Sequence, residues 1–99
     1  MSRSAVKLLP LSVDVFGHSF RVFRGGNDYI GEADLMKGGG GCCNSTDQFI
    51  CVSTEMHEER RRAVFLHECV EAANEVMNLN MDHNQITVMG NLMYQMEKR

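Results

Sequence analysis

The stretch Glu59–Asn78, ERRRAVFLHECVEAANEVMN, decides how the rest of this 99-residue chain is read. Ala, Glu, Arg, Leu and Met favour helix, and neither Gly nor Pro interrupts Thr54–Met89. The pattern predicts one long helix over about 55–77, capped by Thr54, with Glu55, Glu58 and Glu59 complementing the dipole of its first turns. At about 100° per residue, Asn74, His67, Asn78, Glu71, Glu75 and Glu68 fall in one wedge of roughly 120°, joined by Val64 and Arg60. Phe65, Leu66, Cys69, Val70, Ala72, Ala73 and Val76 fill the opposite arc, so the helix has a wide side to bury.

A polar wedge is ordinarily a solvated face, but the content of this one argues for more. Glu68, Glu71 and Glu75 crowd two turns, and Glu71 and Glu75 are like charges at i,i+4, a mildly destabilising pair. No Lys or Arg sits beside them, and Arg60, the cation in the same wedge, lies about three turns from Glu71. His67 and Glu71 are also i,i+4 neighbours, so their side chains can converge on one point. Both are ordinary zinc ligands, and Glu68 would flank a water held beside them.

The run Val64-Phe65-Leu66-His67-Glu68-Cys69-Val70-Glu71-Ala72 resembles the active-site helix of the zincin metallopeptidases, in which apolar residues precede His-Glu-x-x-ligand. The fifth position departs from that pattern: zincins carry His where this chain carries Glu71. The wider arrangement is similar to small phage- and prophage-encoded zincin-like proteins with a His-Glu-x-x-Glu motif, in outline the ImmA/IrrE-like or SprT-like groups. It is carried by His67 to Asn74, the Asn78-Leu79-Asn80-Met81 loop, His83 and Tyr94-Gln95. The match covers the last half of the chain and, more weakly, the first.

The resemblance implies a zinc-dependent peptidase of phage or prophage type, acting on a protein or peptide. His67, Glu71 and His83 would be the metal ligands and Glu68 the general base. His83 follows Glu71 by twelve residues, past a loop that must fold back for it to reach; His18 and Glu75 are reserve ligands. His57, some 15 Å along the same helix at ~1.5 Å per residue, is excluded. Asn74 would orient a ligand or be plain surface. Tyr94 and Tyr29 are candidate oxyanion donors. The exchange of His for Glu71 equally suits a non-catalytic module that binds a partner protein, with structural zinc or none.

Composition is that of one globular domain spanning 1–99: 43% hydrophobic, 23% charged, net charge -3. A core this small gains from a metal. The acidic balance offers no general attraction to nucleic acid or anionic membrane, and Arg60-Arg61-Arg62 reads as a solvated cluster. No apolar run approaches the ~20 residues of a membrane span, and the first ten residues lack a signal-peptide core. The expected setting is cytoplasmic, with Cys42, Cys43, Cys51 and Cys69 as reduced thiols.

Ahead of the helix, residues 1–10 read as a loose tail. Val13, Val15, Phe20, Val22 and Phe23 alternate around Gly17-His18, predicting a hairpin near 11–16 and 19–24. A short strand at 29–35 is ambiguous. Gly38 to Gly41 reads as a flexible loop without the Lys-Ser/Thr of a phosphate-binding loop. Gln48–Ser53 is a strand rich in β-formers. Asp82 caps a last helix over about 83–97, whose Ile86, Val88, Met89, Leu92, Met93 and Met96 read as core against the long helix. The whole predicts an α+β fold: a small, mainly antiparallel sheet with both helices on one face.

Overall fold

The computed structural model describes residues 9–25 and 40–98. The chain is α+β: strands β1 (Ser12–Val15), β2 (His18–Gly25), β3 (Gly41–Asn44) and β4 (Phe49–Ser53) precede helices α1 (Glu58–Met77) and α2 (His83–Glu97). The strands form one sheet in the order β1-β2-β4-β3. Both hairpin pairings are antiparallel, while β2 and β4 run parallel, so the sheet is mixed.

The first hairpin forms as the alternation predicts, but its turn is Phe16-Gly17, one residue earlier than the expected Gly17-His18. Val15 opposes His18, leaving Phe16 and Gly17 as a two-residue turn with φ of 50° and 87°. Two positive φ values match the right-handed twist of the flanking strands. Asp14 Oδ1 accepts the Gly17 N–H at 2.8 Å and holds the turn closed. Leu9, within the expected loose tail, packs on the core, and the Pro10 carbonyl accepts a hydrogen bond from Arg24; residues 1–8 and the ambiguous 29–35 segment lie outside the described residues.

Strand β4 is the centre of the sheet. Ile50, Cys51, Val52 and Ser53 are all buried, as a strand paired on both sides under a helix must be. Ile50 and Val52 meet Phe20 and Val22 of β2 and Phe65, Leu66 and Ala72 of α1 in one continuous core.

Two boundaries differ from the sequence expectation. The glycine run does not end in a loose loop: Gly41 opens edge strand β3, which pairs with β4 through Cys42↔Cys51 and Cys43↔Ile50. A Cβ at Gly41 would come within 2.6 Å of Val64 Cγ1 and 2.9 Å of the Cys51 carbonyl oxygen, so a glycine lets the strand lie close against α1. Helix α1 is capped by His57, not Thr54. The Thr54 N–H is taken by the Gly25 carbonyl at 2.8 Å and Glu55 N–H by Ser53 Oγ at 3.1 Å, which keeps these residues in the sheet's continuation. His57 Nδ1 accepts the Glu59 N–H at 3.3 Å instead.

Helix α2 begins where Asp82 predicts. Asp82 Oδ1 accepts the Gln85 N–H at 2.8 Å and Gln85 Oε1 accepts the Asp82 N–H at 2.9 Å, a reciprocal capping box. The expected core stripe of α2 is a correction. Ile86 and Gly90 are its buried residues, whereas Val88, Met89, Leu92 and Met96 are exposed. Met93 is half-buried against the core, as expected, so Ile86 and Met93 form the inner edge of the helix while Val88, Met89, Leu92 and Met96 lie outside it. Arg62 is a second correction: it is buried, pairs with Glu97 (Nε–Oε2 2.8 Å) and lies 5.0 Å over the Phe65 ring. No helix among the described residues is long and apolar enough to cross a membrane.

Candidate metal centre

Three elements enclose a cleft of about 450 Å³ beside the sheet edge. Helix α1 presents His67, Glu68 and Glu71 to it; α2 adds His83 and Thr87; β3 closes one side with Cys43. The helical spacing is the cause. His67 and Glu71 are one turn apart on α1, and His83, Thr87 and Asn91 succeed one another at every fourth position of α2.

His67 stands at the centre. Its Nε2 is 4.0 Å from Glu71 Oε2, and its ring centroid is 5.5 Å from that of His83. The return of His83 depends on Asn74. Its carbonyl accepts the Leu79 N–H at 3.0 Å and its Oδ1 accepts the Met81 N–H at 2.9 Å. Asn78 and Asn80, both with positive φ, reverse the chain between them. Asn74 therefore acts by folding the loop that delivers His83.

The donor set suits zinc. Two donors on a tetrahedral zinc at about 2.0–2.1 Å lie about 3.4 Å apart, and two imidazoles sharing one ion have centroids about 5 Å apart. The His67–Glu71 and His67–His83 spacings approach both values. Burial holds the His67 imidazole below its usual range, Glu71 acting against burial and His83 with it; a lowered value favours the neutral ring that a metal requires. Among the described residues, no three such side chains are drawn together into a closed metal-holding group. The structure brings together two pairs that share His67.

Glu68, beside His67 in sequence, is buried in the wall of the cleft. Gly41 of β3 lies beside it: a Cβ there would meet Glu68 Cγ at 3.4 Å, an ordinary contact. The Cys43 thiol is pushed up to about 12 by burial first and then by Glu68, Glu75 and Glu71, a measure of the negative charge gathered here. Arg60 also lines the cleft, so the acidic wedge has a cation in the same space despite three turns of separation.

The remaining candidates separate. Glu75 lines the cleft and accepts a hydrogen bond from Ser45 Oγ at 2.5 Å. His18, the other reserve ligand, sits at the start of β2 with Nδ1 3.2 Å from Gln48 Nε2, and does not line the cleft. Tyr94 packs on the core with its hydroxyl buried, away from the cleft lining, so it is no oxyanion donor there; Tyr29 lies outside the described residues. Gly41, Cys43, Thr87 and Gly90 escaped the sequence reading. An isolated Gly inside an otherwise good helix, as at Gly90, was the one signal available.

No family model, curated protein or solved structure matches the chain.

Proposed function

We propose that the protein is a zinc-dependent hydrolase of peptide bonds, of the small zincin-like phage or prophage type, with His67, Glu71 and His83 as metal ligands and Glu68 as general base. The observation that carries this reading is the position of His67, paired with Glu71 and with His83 in one cleft that also holds a buried carboxylate, Glu68. When bound, zinc supplies a Lewis acid that polarises a carbonyl and lowers the pKa of water toward ~7.

Glu68 takes a proton from the attacking water and delivers it to the leaving amine nitrogen as the peptide C–N bond breaks. Strand β3 ends the strand order of the described sheet, with its outer edge beside this cleft. An extended peptide adding to that edge would place its carbonyl along the cleft. All four cysteines are free thiols, which suits a reducing cytoplasm, including that of a host cell.

A non-catalytic module that binds a partner protein is the second reading, favoured by the absence of a closed three-donor group among the described residues. Both are tested by zinc analysis of protein purified without an affinity tag, together with turnover of a peptide library. Wild-type protein should carry zinc and cleave. Glu68→Gln should keep the zinc and lose at least ~10²-fold in rate, because Gln cannot accept the proton. Zinc without cleavage would select the binding module, and the absence of zinc would remove the metal from both readings.

A further inference from the structure

Cys42 of β3 and Cys51 of β4 are direct cross-strand partners. Successive side chains of a strand point to opposite faces of its sheet. Ile50 and Val52 enter the core beneath the helices, so Cys51 between them points to the other face. Cys42 shares that face with its partner, whereas Cys43 turns to the helix side and packs on the core. The Ser53 N–H donates to the Gly40 carbonyl at 2.8 Å, which marks a hydrogen-bonded pair. An antiparallel ladder alternates, so Cys42 and Cys51, two positions on, are again a hydrogen-bonded pair, with Cα atoms about 5.5 Å apart. The commonest Cα span of a disulfide is about 5.5–6 Å.

We propose that Cys42 and Cys51 form a reversible disulfide when the protein meets a peroxide. The two differ as an attacking and a resolving thiol must. Cys42 is partly exposed on β3, the last strand in the order of the described sheet, and Cys51 is 2% exposed on the central strand. The Cys42 thiolate attacks hydrogen peroxide: an S–O bond forms, the O–O bond breaks, and one oxygen leaves as water. The Cys51 sulfur then attacks the Cys42 sulfur. The S–S bond forms as the S–O bond breaks, and the second oxygen leaves as water with the Cys51 proton. The two thiols give up two electrons and one peroxide takes them. Exchange with a small-molecule thiol returns both to the reduced form.

The remaining thiols compete poorly. Burial first, and then the cleft carboxylates, push Cys43 up to about 12, and burial takes Cys69 on α1 to about 12 as well. Reduced thiols at rest and a transient bond under oxidation fit a reducing compartment. Gly41, Cys42 and Cys43 all line the cleft, so the bond ties this wall to the central strand.

The test is peptide mapping of the full, reduced chain after hydrogen peroxide and blocking of the remaining thiols. Cleavage after Lys37 and Arg60 and before Asp47 puts Cys42 and Cys43 on residues 38–46 and Cys51 alone on 47–60. The expected product is a link between these two peptides that dithiothreitol dissolves. Cys43→Ser should keep it and Cys42→Ser should lose it. By fragmentation of the linked peptide, Cys42–Cys51 should exceed Cys43–Cys51 at least ~10-fold in the native chain, because the fold presents one sulfur and turns the other away. In urea the two pairings should approach parity. A native chain that yields no linked peptide overturns the proposal. So does a link that survives Cys42→Ser but not Cys43→Ser, a bond between Cys42 and Cys43 within 38–46 as the main product, or the same pairing ratio in native and unfolded protein.

Discussion

Gly90 rests against the backbone of His67: a Cβ at Gly90 would lie 3.0 Å from His67 Cα and 3.3 Å from its N. This contact sets how closely α2 crosses α1, and through it how near His83 comes to His67. Gly inside a helix costs about 1 kcal/mol relative to Ala, so the position pays for proximity. Gly90→Val should destabilise the fold by about 1–3 kcal/mol through overpacking and weaken any zinc-dependent rise in melting temperature. Urea titration with and without zinc measures both. A Val variant as stable as wild type would show that the helices have room to spare.

The three-ligand assignment predicts a pattern of melting temperatures. A strong chelator should lower the wild-type value and added zinc restore it, because an ion bound only by the folded chain stabilises it. His67→Ala and His83→Ala should each abolish that response, while His18→Ala, whose ring lies near Gln48 outside the cleft, should leave it intact. Loss of the response in His18→Ala would reassign the third ligand.

Asn74 is predicted to act through the loop. Asn74→Ala removes the acceptor of the Met81 N–H and should cost about 1–2 kcal/mol, as lost side-chain to backbone bonds do. Asn74→Asp keeps an acceptor at the same place and should recover most of the stability. Thermal denaturation of the two variants separates this role from that of a plain surface residue, for which neither change would register.

Arg62 and Glu97 tie the start of α1 to the end of α2, with side chains 10% and 20% exposed. Glu97→Ala removes the carboxylate paired with a largely buried guanidinium and should cost about 1–3 kcal/mol, less than a fully buried pair because the carboxylate is partly wet. Arg62→Met, which keeps the packing on Phe65, should cost less than Glu97→Ala. Chemical denaturation of both gives the order.

Thiol reactivity tests the burial of the cleft. Burial and three carboxylates move Cys43 from 9.0 to about 12; burial moves Cys69 likewise, Arg62 opposing it and Glu68 and Glu97 adding to it. At pH 8 each then holds roughly a thousandfold less thiolate than an ordinary cysteine. Both should resist alkylation in the native protein as pH rises through 8 and 9, and react at once when the chain is unfolded. Mass spectrometry of modified peptides reads each site separately, and fast native labelling of Cys43 would show an open cleft.

Local chemistry alone determined much of this protein. Helix formers without a break made α1, Asp82 made the start of α2, and alternation around Gly17-His18 made the hairpin, its turn displaced by one residue, because each depends on neighbours within a few residues. The convergence of His67 and Glu71 was legible for the same reason, being a consequence of helical pitch. Tertiary structure decided the rest. Gly41–Asn44 has little strand propensity of its own and becomes β3 only because β4 offers a partner and α1 a surface that needs a glycine. The apolar residues of α2 could not be sorted from their spacing, since that helix meets its own protein along one narrow edge and leaves Val88, Leu92 and Met96 outside. Arg62 was drawn inward by a carboxylate thirty-five positions away, and His83 reached His67 because Asn74 bent the loop and Gly90 let the helices close: long-range contacts that no local pattern encodes.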